Sequence, residues 1–113
     1  MKLPNIMAAV VGHQKVADYL LSENHPVGRA KARFFRSFGF TRERAGELAQ
    51  ALRRHAEIHE VATTEASPFG MRYIIDGILI TPDGRNPMVR SVWFIETGEI
   101  MPRFVTAYPA GRR

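Results

Sequence analysis

The apolar residues change their period near His59, and that change constrains the fold more than any other feature of the chain. Upstream, Ala45, Leu48, Ala49, Leu52 and Ala56 recur at the three, four and seven spacing of an amphipathic helix. Downstream, "HEVATTEA", "MRYIIDGILIT", "MVRSVWFIE" and "RFVTAYP" favour β-branched and aromatic residues and alternate with a period of two, separated by turn residues such as "PDGRN". A chain that is helical first and extended afterwards, with short connections between its strands, folds as helices against an antiparallel sheet.

The helical part divides at its punctuation. Residues 13 to 22 carry Val16, Tyr19 and Leu20 on one stripe and predict a first helix, which "ENHP" ends because Pro26 pushes His25 out of the helical region. A second helix is predicted from about Val27 to Phe38, stopped by Gly39, and Thr41 is placed to cap a third. The expectation is an α+β fold in which three N-terminal helices pack on one face of a four-stranded antiparallel sheet. With 113 residues, 45% of them hydrophobic, and no linker, repeat or low-complexity tract, residues 1–113 read as a single α+β domain.

Composition removes whole classes of chemistry. There is no cysteine, so disulfides, thiolate metal sites and cysteine nucleophiles are excluded together, in keeping with a reducing cytoplasm. The N-terminal apolar run is broken by Gly12 and His13, unlike a signal peptide, and no stretch reaches membrane-spanning length. A cytoplasmic location without membrane attachment is therefore expected. Sixteen Lys and Arg stand against eleven Asp and Glu, a net charge of +5 that favours polyanionic partners. Residues 29 to 36 carry four cations and no anion; Arg42, Arg44, Arg53 and Arg54 follow, and Arg112 and Arg113 close the chain.

Within "HPVGRAKARFF" the charges are not equivalent. At about 100° per residue, Arg29, Arg33 and Arg36 cluster on one side of the second helix, a wet face suited to nucleic-acid phosphates or simply to solvent. Lys31 falls about 200° around from Arg29, inside the arc of Phe34, Phe35 and Phe38. Two readings stay open for it: a snorkelling stem, or an amine held against apolar walls for chemistry. His25, in a loop bounded by Pro26 and Gly28, is placed near a helix N-terminus that attracts phosphate. His55 and His59 have the four-residue spacing of a metal pair on a helix, yet no third ligand stands out, so neither a metal nor a cofactor is expected.

In the strands, Arg90 alternates with Met88, Val92 and Phe94 and so either pairs with an acid, Glu96 or Asp76, or lines a cleft. Phe104, Thr106 and Tyr108 share a face of the last strand. If the hairpin pairs Glu96 with Ile100, Arg90 lies opposite Thr106, and Arg90, Thr106 and Tyr108 share one face; a one-residue slip separates them.

The blocks "YLLSENHPVGRAKARFFRSFGF" and "VRSVWFIETGEIMPRFVTAYP" resemble a family of short bacterial domains of unassigned function that carry a similar HPVG, KA, FF and GF block and end in LVTAYP-like segments. The resemblance spans about Val16 to Pro109. In layout and residue types the chain is similar, more distantly, to the barnase, EndoU, colicin and RelE superfamily of small metal-independent ribonucleases, many of them bacterial toxins. That resemblance implies an RNA-cleaving site with His25 as base, Lys31 and Arg90 as cations for the phosphorane, Thr106 orienting a phosphate oxygen and Tyr108 stacking or donating a proton. It also implies RNA as substrate and an antitoxin or immunity protein as partner. A non-catalytic module that binds nucleic acid or protein through Arg29, Arg33 and Arg36 is the alternative.

Overall fold

Leu48, Leu52, His55 and Ala56 lie successive turns apart, and burying that stripe produces the longest helix among the described residues. The computed structural model describes residues 1–21 and 29–110. After a 3-10 turn at Ile6–Ala8 come a short α-helical turn, α1 (His13–Lys15), which opens into a π turn at Val16–Leu20, and then α2 (Arg29–Ser37). A 3-10 turn at Arg42–Arg44 leads directly into α3 (Ala45–Ile58). Four strands follow, β1 (Val61–Ser67), β2 (Gly70–Ile78), β3 (Met88–Glu96) and β4 (Arg103–Pro109), each antiparallel to the next, in the order β1-β2-β3-β4.

This is not the expected α+β layout of three N-terminal helices packed on one face of the sheet. One helical run, Arg42 to Ile58, supplies the long buried stripe that meets β2 and β3, while α2 is nine residues long and meets the sheet at β4. The first predicted helix is helical from His13 to Leu20 but α-helical only in its first turn, for a packing reason. Val16, Ala17, Leu20 and Leu21 are all buried, and the wider bond from the Leu21 N–H to the Val16 carbonyl turns Leu21 inward along with Leu20. Thr41 has the extended backbone of a cap, but its side chain makes no capping bond; the Arg44 N–H closes the turn on the Thr41 carbonyl instead. Gly39 follows α2 with φ +104°, a conformation a side chain resists, and its N–H bonds the Arg36 carbonyl.

The core lies between α3 and one face of the sheet. Val16, Leu20, Phe35, Phe40, Leu48, Leu52, Ile75, Leu79, Val89 and Trp93 are buried there, with Trp93 edge-on to Phe104. Polar groups within it are satisfied by one network. The Trp93 indole N–H donates to the Ser91 hydroxyl, 2.9 Å away, and that hydroxyl is 3.0 Å from His55 Nδ1. His55 Nε2 faces two carbonyl oxygens, of Gly77 at 3.1 Å and Val89 at 2.9 Å, so the proton sits on Nε2 and Nδ1 accepts from Ser91. One turn on, His59 Nε2 bonds the Ile78 carbonyl at 2.9 Å. The pair with metal-like spacing thus clamps α3 to the backbone of β2. Among the described residues no cluster of His, Asp and Glu is arranged to hold a metal.

Candidate active site

The face of the sheet turned away from α3 carries the charges that alternation leaves there. Asp76 of β2 lies directly opposite Arg90 of β3, and Arg90 directly opposite Tyr108 of β4, so one cross-strand row joins three strands. Ile74, Val92 and Thr106 form the next row. Arg90 Nε donates to Asp76 Oδ1 at 2.7 Å and Nη2 to Oδ2 at 2.9 Å, a side-on fork, and the Tyr108 phenol stands beside the guanidinium on the next strand. The carboxylate, then the phenol, hold the guanidinium's pKa well above its ordinary value. In return the Arg90 hydrogen bonds hold the Asp76 carboxyl below the usual carboxylate range despite its partial burial. The Thr106 hydroxyl, buried one row away, has no hydrogen-bond partner.

This grouping depends on a bulge. Phe94 pairs with Arg103 and Trp93 with Phe104, but Val92 pairs with Thr106, so Val105 is an extra residue in β4. Without it the ladder would place Tyr108 opposite Val89, on the α3 face. The expected pairing of Arg90 with Thr106 is therefore replaced by Arg90 with Tyr108: a longer connection contributes one residue of offset and the bulge another. Together they preserve the face on which Arg90, Thr106 and Tyr108 meet.

Of the helical candidates, Lys31 is met by a ring from another element. The Lys31 ammonium lies over the Tyr19 ring, 5.5 Å from its centroid, and Lys15 lies 5.4 Å from the same centroid. Lys31 is thus engaged by Tyr19 and Arg90 by Asp76 and Tyr108. Arg29, Arg33 and Arg36 are exposed along α2. His25 lies outside the described residues. A groove of about 450 Å³ between the Ile6–Ala8 turn and α3, walled by Glu47, Arg53, Arg54 and Glu57, includes none of these residues.

Reasoning from sequence names Asp76 as a possible partner for Arg90 but gives it no role in the site, and overlooks Lys15 and Tyr19. A signal for the first is present. The β2–β3 register is symmetric about Asp83, in the "PDGRN" turn, and counting outward from that turn brings Asp76 opposite Arg90.

The family described as "Domain of unknown function (DUF6883)" matches residues 2–111. Among solved structures, a chain of the contact-dependent growth inhibition toxin–immunity protein complex from Klebsiella pneumoniae 342 is similar in fold. Its TM-score is 0.69 over 89% of this chain and 99% of that one, at 21% identity. A comparison with curated proteins found no match.

Proposed function

The chain belongs to the DUF6883 family of domains of unknown function, and on that premise we propose that it is a metal-independent endoribonuclease of bacterial toxin type. The observation that carries the reading is the bulge at Val105, which keeps Tyr108 and Thr106, whose hydroxyl is buried and unpartnered, on the same face of the sheet as Arg90. Bulges recur beside active sites, where they re-aim a side chain. The ion pair to Asp76 orients the arginine without exhausting it. A side-on fork through Nε and Nη2 to Asp76 leaves guanidinium hydrogens that can meet a phosphate oxygen.

In the proposed chemistry a base removes the proton of the RNA 2'-hydroxyl, and the 2'-oxygen attacks the adjacent phosphorus. The bond from phosphorus to the 5'-oxygen breaks, leaving a 2',3'-cyclic phosphate, and an acid protonates the departing oxygen. Arg90 and the Thr106 hydroxyl stabilise the phosphorane oxygens. Tyr108 is the acid or a stacking platform, and His25, just ahead of α2 in the chain, is the base. Arg29, Arg33 and Arg36 hold flanking phosphates. The solved structure similar in fold comes from a toxin–immunity protein complex, and an inhibitory protein partner belongs to the same proposal.

Purified protein incubated with total RNA in EDTA should yield fragments with cyclic phosphate ends. Arg90→Ala should slow the reaction about a hundredfold or more, by analogy with loss of an oxyanion-hole donor. Absence of cleavage would leave the second reading, a non-catalytic module binding nucleic acid or protein, which one observation favours: Arg90 is already neutralised by Asp76.

A further inference from the structure

Positive charge is distributed unevenly between paired and unpaired groups. Lys2 and Arg42, Arg44, Arg72, Arg85, Arg90 and Arg103 all have carboxylate partners. Among the described residues outside α3, Lys15, Arg29, Lys31 and Arg33 have none, and all four belong to α1 and α2. Two of them converge on one ring, since both ammonium groups lie within 5.5 Å of the Tyr19 centroid. A ring attracts a cation through its quadrupole, but two like charges on one ring repel each other, and the neighbouring carboxylate of Asp18 is engaged by Arg42 at 2.6 Å. An anion at this corner would be attracted by both charges and would offset that repulsion.

We infer that Lys15, Tyr19 and Lys31 form a phosphate-binding subsite for single-stranded RNA, separate from the Arg90 row, with Lys31 gripping the strand rather than taking part in bond breaking. The inference rests on the ribonuclease reading for its choice of anion. It also has a geometric basis: α2 meets the sheet at β4, the edge strand that carries Thr106 and Tyr108. A strand crossing the Arg90 row and leaving over the β4 edge arrives at α2. Its next phosphates then meet Lys31 and Lys15, with Arg29 and Arg33 beyond. Tyr19 acts here as a rigid post that sets the position of two flexible amines.

Binding of a fluorescent 2'-O-methyl RNA, which lacks the attacking hydroxyl, separates this subsite from catalysis. The Lys15→Ala, Lys31→Ala double variant should bind about tenfold more weakly at low salt. The slope of log affinity against log salt should become shallower by about 0.7 for each phosphate that the variant no longer neutralises. Lys15→Arg with Lys31→Arg should keep most of the affinity, and circular dichroism should report a native fold in both variants. If the parent binds but cleaves nothing, the subsite stands and the ribonuclease reading falls. Unchanged affinity and slope in the natively folded alanine variant would overturn the subsite, as would a parent that does not bind. So would a loss in kcat with KM unchanged when cleavable RNA is used, because Lys31 would then belong to the chemistry.

Discussion

His55 is a titratable residue buried to 1% exposure, and its surroundings are built for the neutral ring. Burial is the largest cause holding its pKa below the ordinary value; His59 adds to the effect, while bonds to the Gly77 and Val89 carbonyls and the charge of Asp76 oppose it. Because the unfolded chain takes up this proton near pH 6.5 and the folded one only below that, the contribution to stability is complete above about 6.5. It is lost as pH falls from there toward the depressed folded value. Urea unfolding should show stability decreasing between pH 7.5 and 5.5, and a flatter profile in His55→Gln. Gly77 is constrained by the neighbouring ring: a Cβ there would lie 2.4 Å from His59 Cγ and Cδ2. Gly77→Ala should cost on the order of 2 kcal/mol, and much of that should disappear when His59→Ala is combined with it, a coupling measurable in a double-mutant cycle.

At the scale of elements, period and register differ sharply in legibility. The four strands lie in the segments whose residue types and alternation mark them; β2, β3 and β4 each have one face against the core, while β1 is exposed on both faces beyond Val61. The helices are legible only where a long stripe is buried, as in α3. A four-residue apolar spacing says nothing of a π turn, whose cause is Leu21 being drawn inward by tertiary packing. The bulge is equally invisible, since Val105 is as good a strand residue as its neighbours and only the pairing singles it out. Lys31 is ambiguous in sequence for a related reason: its helical angle is informative, but its nearest partner, Tyr19, comes from another element. Lys31→Met should therefore change stability by no more than about 1 kcal/mol in thermal or urea unfolding, the scale of one exposed cation–π interaction. Gly39→Ala should cost at least about 1 kcal/mol in the same assay. The new methyl group would strain φ +104° and approach Pro82 Cβ to 3.0 Å.

For the whole molecule, the arrangement separates a wet, cationic helical corner from a core closed by α3 and three strands, and among the described residues no helix is long and apolar enough to cross a membrane. Replacing Arg29, Arg33 and Arg36 together by Ala should weaken RNA binding at low salt and flatten its salt dependence, read by fluorescence anisotropy; an unchanged slope would make them a solvated face. The outermost strand behaves differently from the other three. From Ala62 to Ser67 every residue of β1 is exposed on both faces, so after Val61 the strand is held by its ladder to β2 and little else. Such a strand can peel away while Asp76, Arg90 and Tyr108 stay registered in the remaining three. In hydrogen–deuterium exchange, amides of Thr63 to Ala66 should therefore exchange through a low-energy local opening, and those of Ser91 to Trp93 only when the entire chain unfolds. The protein thus has a frayable margin whose opening leaves the Arg90 row assembled.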